Sequence, residues 1–183
     1  IKNSKSVSLQ VTGTKIIDIA VDGDASIVYT LNDNRTLSTW KIDGTLVKTV
    51  KVSLRIPIGI TLLGGGKTIA IIAKEPGIKI VRAVDGVTVT TIAEQSIFVS
   101  LHATNEFIIA SMADKSIVFM RQSGKDYLRM FMLRNNHVFE YNGNYEYSKE
   151  LLPFVRVVQG YSIVPKSSFI STTIPDVVSM FFK

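Results

Sequence analysis

A glycine-rich stretch, LLGGGKTIAIIAK from Leu62 to Lys74, holds the residues of this 183-residue sequence that most resemble a phosphate site. A phosphate-binding loop needs Gly-x-x-x-x-Gly-Lys-Ser/Thr followed by a helix, whose N–H groups hold the phosphate. Here Gly66-Lys67-Thr68 matches the end of that pattern, but the first glycine is replaced by Thr61 and the following residues are β-branched. The stretch therefore predicts the corner of a β-hairpin followed by a buried strand.

Three aspartates, Asp18, Asp22 and Asp24, lie close together in DIAVDGDAS and raise the possibility of a calcium loop. An EF-hand loop needs additional oxygen ligands and a glutamate at its twelfth position, which is Asp33 when counted from Asp22. The positions between them belong to an apolar run. We therefore predict turn aspartates that accept hydrogen bonds from their own backbone.

The remaining residues form no recognisable catalytic or metal-binding group. His102 and His137 are the two histidines, and neither has a second ligand at metal spacing or a serine and aspartate partner. The absence of cysteine removes disulfides, thiolate zinc sites and cysteine nucleophiles. We predict a protein that is not an enzyme, with no catalytic residues, no cofactor, no metal and no small-molecule substrate.

Short runs rich in Ile, Val, Thr and aromatic residues dominate the chain, and turn residues separate them. No run sustains a helical period, and none reaches the 18 or more apolar residues of a membrane span, so we predict antiparallel β-structure and no membrane span. The runs are IIDIAVD, SIVYTLN, TLSTWKI, TLVKTVKV, IGITLL, TIAIIAK, IKIVRAV, VTVTTIA, SIFVSLHA, EFIIASMA, SIVFMRQ and DYLRMFML.

A repeat is visible in the turns. Asp43-Gly44, Asp85-Gly86 and Ser123-Gly124 recur at spacings of 42 and 38 residues, and each separates a third strand from a fourth. Four strands in about 40 residues is typical of a β-propeller blade. The other predicted hairpin turns are Asp33-Asn34, Gly64-Gly65-Gly66, Pro76-Gly77 and Asp114-Lys115.

The segment TLSTWKIDGTLVKTV resembles the third and fourth strands of a WD40 repeat. Trp40 occupies the place of the signature tryptophan, and Gly44 lies in the turn that follows; Gly86 and Gly124 occupy the same place in the next two repeats. Lys41 replaces the family's aspartate, and no Gly-His pair opens a blade, so the family's hydrogen-bond relay is incomplete. The resemblance covers residues 15–133 and implies a degenerate WD40-like propeller in which Trp40 packs in the core.

The register changes after Leu133. HVFEYNGNYEYSKELL predicts another hairpin around Asn142-Gly143, with half a blade missing before it, and VRVVQGYSIVP, SSFISTTI and VVSMFFK predict strands of an unfinished blade. We therefore predict WD40-like blades over 1–133 and irregular or partial blades of the same domain over 134–183. About three clear and two partial four-stranded blades are an incomplete set, which favours a fragment of a larger protein.

The net charge of +6 is spread along the chain, without a run of basic residues. Aromatic and basic residues alternate near the end of the clear repeats, a pattern that can stack bases and neutralise phosphates or can protect an edge strand. The candidate contacts for RNA or another partner are Arg129, Arg134, Tyr145 and Lys149, and the neighbouring aromatic residues are Phe131, Tyr141 and Tyr147.

The analogy to other propellers, together with the absence of a catalytic or metal-binding group in the sequence, favours a scaffold. Such a scaffold would bind other protein subunits in a large intracellular assembly. The basic charge and the lack of cysteine favour an intracellular assembly. The resemblance to degenerate propellers, in which the ribosome-biogenesis machinery is rich, implies a ribonucleoprotein or ribosome-biogenesis complex, and hence the nucleus or nucleolus. Three alternatives stay open: a propeller of a membrane-coat or tethering complex, a propeller that binds RNA directly, and an enzyme with an active site in the central channel. The enzyme would need clustered Asp, Glu, His or Arg at the starts of the inner strands, and IGITLL and SIFVSLHA supply almost none.

Overall fold

The computed structural model describes residues 6–93, 96–124, 127–133, 136–141, 144–147, 157–159, 162–164, 178 and 181–182. The chain divides into two compact units, Ile1–Asp114 and Lys115–Lys183. The strands of both units are antiparallel, which confirms the predicted all-β class.

The first unit starts with a four-stranded sheet in the order β1-β2-β3-β4. Its strands are rich in β-branched residues, and each begins within one residue of the predicted run. The tight connections between them contain the expected turn residues, with Gly44 at a φ of 90° between the third and fourth strands. The strands are β1 (Ile16–Asp22), β2 (Ile27–Asn32), β3 (Thr36–Lys41) and β4 (Leu46–Lys51).

A second four-stranded sheet follows in the order β5-β6-β7-β8, and an antiparallel hairpin, β9-β10, completes the first unit. The sheet repeats the arrangement of the first one, with the Asp85-Gly86 turn before its last strand. The strands are β5 (Pro57–Leu62), β6 (Thr68–Ala73), β7 (Glu75–Arg82), β8 (Thr88–Ile92), β9 (Phe98–Ala103) and β10 (Phe107–Met112).

The predicted hairpin turn at Pro76-Gly77 is wrong. Both residues lie inside β7, and the chain reverses at Lys74, with an irregularity in the β6–β7 register beside Ala73. Gly77 has a φ of +92°, and a Cβ atom there would lie 2.8 Å from the carbonyl oxygen of Ile92 in β8. The glycine therefore permits a close approach of two strands and does not form the turn.

The two four-stranded sheets pack face to face, and the apolar residues between them form the main core of the first unit. Leu31 and Leu37 from the first sheet and Ile69 and Val81 from the second are fully buried there. Burial of each such side chain contributes about 1.5–3 kcal/mol. Neighbouring β-layers meet through β1, β5 and β9, so these three strands are the innermost ones of the unit.

A side-chain to backbone hydrogen bond also joins the two sheets. Asp18 Oδ2 in β1 accepts the N–H of Ile60 in β5 at 2.9 Å, and its other oxygen accepts the N–H of the following residue at 2.8 Å. The prediction that Asp18 is a turn residue is wrong, because its position in β1 directs the carboxylate toward the next sheet. Asp22 does behave as predicted, since its Oδ1 accepts the N–H of Ala25 at 3.0 Å within the β1–β2 turn.

The second unit contains the antiparallel series β11-β12-β13-β14 and a separate hairpin, β15-β16. β12 pairs directly with β13 through five residue pairs, from Arg129↔Glu140 to Leu133↔Asn136. The interpretation of β13-β14 as a hairpin with half a blade missing before it is therefore wrong: the hairpin extends the series that contains β12. The strands are β11 (Ser116–Arg121), β12 (Tyr127–Leu133), β13 (Asn136–Tyr141), β14 (Asn144–Tyr147), β15 (Val157–Gln159) and β16 (Ser162–Val164).

The strand predictions for the three C-terminal runs have different outcomes. The described residues of the run VRVVQGYSIVP, 157–159 and 162–164, form the paired strands β15 and β16, as expected. The run SSFISTTI lies outside the described residues. The strand predicted for VVSMFFK is wrong at Val178 and Phe181, which are helical. The N–H of Phe182 donates to the carbonyl oxygen of Val178 at 3.2 Å, so a local helical bond replaces the strand that the β-branched residues favour. Phe181 is 1% exposed, and burial of its ring accompanies this turn.

The turn before β8 provides a stability test. We expect Gly86→Val to destabilise the first unit, because its φ is +71° and a Cβ would lie 2.9 Å from Val50 Cγ2 and 3.0 Å from the Lys51 carbonyl oxygen. The backbone conformation alone costs a β-branched residue about 1–3 kcal/mol, and the steric overlap adds to this. Urea denaturation measures the free energy of unfolding.

The matched control is Gly65→Val, since Gly65 has a φ of +80° but nothing within 4 Å of its Cβ position. We expect Gly65→Val to lower the free energy of unfolding only by the cost of placing a β-branched residue at a positive φ, without the steric overlap. Equal stability of Gly86→Val and the unchanged protein would show that the turn does not have this geometry.

The single tryptophan provides a second test. Trp40 is 2% exposed, so we expect Trp40→Ala to reduce the free energy of unfolding by about 3–5 kcal/mol. Trp40→Phe keeps most of the apolar volume and loses the indole N–H, and we expect a smaller reduction. Thermal and urea denaturation compare the two variants, and a change below about 0.5 kcal/mol for Trp40→Ala would be typical of a surface position.

Candidate functional site

Three strand-connecting turns of the first unit surround one opening, which we call the turn opening. Each turn leaves an innermost strand, β1, β5 or β9, so the packing of these strands places the turns side by side. The cavity has a volume of about 590 Å³. Its lining consists of residues 21–25, 62–66 and 103–105.

The lining of the turn opening is mainly backbone, glycine and small side chains. Its ionisable side chains are Asp22 and Asp24, so the turn opening is acidic although the chain as a whole has a net charge of +6. Asp22 lies against Gly66 of the neighbouring sheet, where any Cβ atom would collide with the carboxylate. The φ of +68° at Gly66 favours glycine, and the absence of a side chain there leaves room for the Asp22 carboxylate.

The structure confirms the hairpin corner predicted for the glycine-rich stretch. The N–H of Leu63 donates to the Thr68 carbonyl oxygen at 3.0 Å, and the N–H of Gly66 donates to the Leu63 carbonyl oxygen at 3.1 Å. The strand β6 begins directly afterwards, at Thr68, where a phosphate-binding loop would need a helix. Lys67 therefore projects from a turn between two strands.

A second cavity lies between the two four-stranded sheets, and we call it the inter-sheet groove. It also has a volume of about 590 Å³ and adjoins the turn opening at Gly66, which lines both cavities. Side chains from both sheets contribute to its walls. The lining consists of Tyr29, Thr39, Lys48, residues 66–68, residues 82–84 and Val89.

The charged side chains that line the inter-sheet groove are all cations. Lys48 Nζ donates to the Val84 carbonyl oxygen, which links the outer strand of the first sheet to the second sheet. Arg82 forms an ion pair with Asp85, with Nη2 at 2.6 Å from Oδ2. Lys67 is exposed and has no ion pair with any carboxylate in the described part of the chain.

Two hydroxyl groups add polar chemistry to the groove. Thr39 is 6% exposed, and its Oγ1 is buried with no hydrogen-bond partner within the described residues. Tyr29 is 7% exposed, and burial, helped by the charge of Asp22, raises the pKa of its phenol. Tyr29 is therefore neutral at physiological pH and available as a hydrogen-bond donor.

The predicted repeat residues occupy comparable places. Gly44 and Gly86 lie in the turns before β4 and β8, and Gly124, with a φ of 70°, lies in the turn before β12. The indole Nε1 of Trp40 donates to Thr30 Oγ1 at 3.0 Å, so a side-chain hydrogen bond is present although the sequence lacks the histidine and aspartate of the WD40 relay. The role of these residues as repeat determinants stays a prediction.

The structure describes some of the residues that are predicted to contact RNA or another partner. The Arg129 guanidinium lies 5.8 Å from the centroid of the Tyr127 ring and 5.9 Å from that of Phe131, which brings a cation and two aromatic rings together on β12. Arg134 and Lys149 lie outside the described residues, and Tyr145 is described only as a backbone position in β14.

Two of the other candidates have structural contacts in the second unit. The Tyr141 ring packs edge-on against Phe181 with centroids 5.6 Å apart, and the His137 ring lies 4.9 Å from that of Phe139. Within the described residues, no group of three histidine or acidic side chains could hold a metal ion. The described part of the chain also contains no helix that is long and apolar enough to cross a membrane.

Sequence reasoning did not identify the inter-sheet groove. Its cations, Lys48, Lys67 and Arg82, are 15 to 19 residues apart, and each follows or belongs to a different strand. No local run marks them. The signal that could have identified them is their position in the repeat, since packing of adjacent blades brings the outer strand of one blade against the turns of the next.

Comparison with known proteins places this geometry among propellers. No protein-family model matches the sequence, and no curated protein matches it. The chain is similar to the computationally designed Ika4 protein, with a TM-score of 0.55, 17% identity, and coverage of 80% of this chain and 98% of that one.

Two further solved structures are similar. For U3-55K the TM-score is 0.59 at 13% identity, covering 76% of this chain and 50% of that one; for the WD40 repeats of RRP9 the TM-score is 0.56 at 13% identity, covering 72% and 46%. This chain thus spans about half the length of either. Together with the four-stranded antiparallel sheets, the similarity shows the fold: an all-β, WD40-like propeller with an incomplete set of blades.

Proposed function

We propose that the chain is a non-catalytic propeller platform that binds segments of partner proteins at the turn opening, within a large intracellular assembly. The observation that supports this most is the convergence of three turns, from β1–β2, β5–β6 and β9–β10, around one cavity of about 590 Å³. Turns held by a rigid scaffold are the usual place for binding residues, because the strands fix their positions. Fold alone does not determine function, so the proposal depends on this cavity and its lining.

The rigidity of the turn opening comes from the packing beneath it. The buried residues between the two sheets and the hydrogen bond from Ile60 to Asp18 hold β1 and β5 in one arrangement. A binding surface that needs no reordering loses less conformational entropy when a partner docks. The platform is therefore pre-organised for a partner segment.

The lining of the turn opening does not support catalysis. Among its described residues, Asp22 and Asp24 are the ionisable side chains, and Asp22 already accepts the N–H of Ala25. A general acid or base needs a pKa near the operating pH, and a hydroxyl nucleophile needs an activating base within hydrogen-bond reach. An acidic, open cavity is better suited to a partner segment that carries a basic side chain.

The assembly that we favour is a ribonucleoprotein or ribosome-biogenesis complex, in the nucleus or nucleolus. The net charge of +6, the predicted isoelectric point of about 9.5 and the lack of cysteine support an intracellular partner of acidic character. A membrane-coat or tethering complex is the alternative assembly for the same type of platform.

We expect Asp24→Arg to remove protein partners that bind at the turn opening, because it reverses a charge and places a long side chain at the rim. Asp24 is exposed in the β1–β2 turn, so the variant should unfold with unchanged free energy. Affinity purification of the tagged chain from cell extract, with and without ribonuclease, compares the proteins that remain bound.

The matched control is Thr90→Arg, which adds the same side chain to the exposed outer strand β8. The proposal predicts partners that survive ribonuclease, are lost from Asp24→Arg and are kept by Thr90→Arg. Identical partners for both variants would contradict it. Partners that disappear only after ribonuclease, together with salt-sensitive binding of the purified chain to RNA on filters, would favour direct RNA binding.

A further inference from the structure

We propose that the inter-sheet groove binds an acidic side chain of a partner peptide, with an aliphatic neighbour of that side chain packed at its rim. Lys67 and the Thr39 hydroxyl are the principal contacts to the acidic group, and Val84 and Val89 contact the aliphatic group. This inference rests on the proposed function as a protein-binding platform and assigns a partner chemistry to a cavity next to the turn opening.

The buried hydroxyl of Thr39 is the first observation. Thr39 lines the groove and is 6% exposed, and its Oγ1 has no hydrogen-bond partner within the described residues. Buried polar atoms are nearly always hydrogen-bonded, and an unmade bond carries a desolvation penalty. An acceptor oxygen that enters the groove would supply the missing partner. A carboxylate is acceptor-only and suits a hydroxyl donor.

The charge of the groove is the second observation. Its charged lining residues are Lys48, Lys67 and Arg82, without a carboxylate among the residues that line it. Arg82 is already paired with the carboxylate of Asp85. The Lys48 ammonium donates one N–H to the Val84 carbonyl oxygen and keeps two N–H donors. Lys67 is therefore the cation with the most remaining capacity, and the groove as a whole attracts an anion.

The apolar part of the lining is the third observation, and it favours a peptide over RNA. Val84 is 65% exposed and Val89 is 58% exposed, so the rim offers aliphatic surface to a partner side chain. RNA bases are held by stacking on exposed aromatic rings. The aromatic residue of the lining is Tyr29, which is 7% exposed, so its ring has little surface on which a base could stack.

The chemistry of an acidic group is shared by a carboxylate and a phosphorylated serine, so the experiment contains both. The probes are four short fluorescein-labelled ligands: a peptide of alternating Leu and Glu, the same peptide with phosphoserine for Glu, the same peptide with Gln for Glu, and an oligouridine RNA. Fluorescence anisotropy measures their binding to the purified chain and its variants at low and at physiological ionic strength.

We expect the Glu or phosphoserine peptide to bind and the Gln peptide to bind roughly ten-fold more weakly or not at all. Lys67→Gln should weaken binding of the acidic peptide by roughly ten-fold. Lys74→Gln is the matched control, since Lys67 and Lys74 are exposed lysines that directly precede and follow the same strand, β6. The control should bind the peptide as the unchanged protein does.

Thr39→Val separates binding from folding. The substitution keeps the shape and removes a hydroxyl that has no described partner, so the free energy of unfolding should stay the same or rise while peptide binding falls by roughly ten-fold. A hydroxyl that merely supports the fold would instead lower the stability of the variant.

Three results would overturn the assignment: equal binding of the Glu and Gln peptides, an equal loss from Lys67→Gln and Lys74→Gln, or tighter binding of the RNA than of either acidic peptide. These outcomes are distinct from failure of the platform itself. If Asp24→Arg loses partners in extract but the groove binds no acidic peptide, partner binding at the turn opening is supported and acidic-peptide binding in the groove is contradicted. If the groove binds the peptide but Asp24→Arg keeps every partner, the proposed binding of partners at the turn opening is contradicted.

Discussion

The packing of one four-stranded sheet on the next is the interaction on which the rest of this structure depends. A single four-stranded antiparallel sheet has two faces, and one must be covered for the sheet to be stable. The first two sheets cover each other with fully buried side chains such as Leu37 and Ile69. The hydrogen bond from Ile60 to Asp18 adds a polar link between the same innermost strands, worth about 1.5–3 kcal/mol for a charged acceptor.

Both candidate sites are consequences of this packing. The innermost strands β1, β5 and β9 place three turns around the turn opening, and the outer parts of the two sheets leave the inter-sheet groove between them. The turn opening carries aspartates, whereas the groove, which shares Gly66 with it, carries lysines and an arginine. Adjacent cavities of opposite charge suit a partner segment with both basic and acidic side chains, which agrees with a protein-binding platform.

Much of the fold could be predicted from the sequence because the determinants are local. Strand runs such as IIDIAVD alternate their side chains, and the turns at Gly44 and Gly86 need residues that accept positive φ. The errors arise where non-local contacts override a local signal. Pro76-Gly77 has the composition of a turn, but Gly77 lies in β7 because β8 passes close to it. Phe181 belongs to a β-branched and aromatic run, yet a helical bond and burial of its ring determine its conformation.

The candidate sites were harder to predict than the strands. The glycine-rich corner at Gly64–Gly66 was identified, but its proximity to Asp22 follows from the packing of two repeats. Likewise, Asp18 looked like part of an acidic turn because its partner Ile60 lies 42 residues away in the sequence. Lys48, Lys67 and Arg82 meet only in the folded unit. Sites of this kind depend on the register between repeats, which a single sequence does not specify.

Hydrogen exchange at the amide of Ile60, followed by NMR in the unchanged protein and in Asp18→Ala, tests the packing of the sheets most directly. β5 is the edge strand of its sheet, and its Ile60 N–H donates to the carboxylate of the neighbouring sheet. We predict a protected amide in the unchanged protein and much faster exchange in Asp18→Ala, with the amides of the central strand β6 little affected. An Ile60 amide that exchanges as fast as a solvent-exposed one, or equally in both proteins, would contradict the face-to-face arrangement of the first two blades.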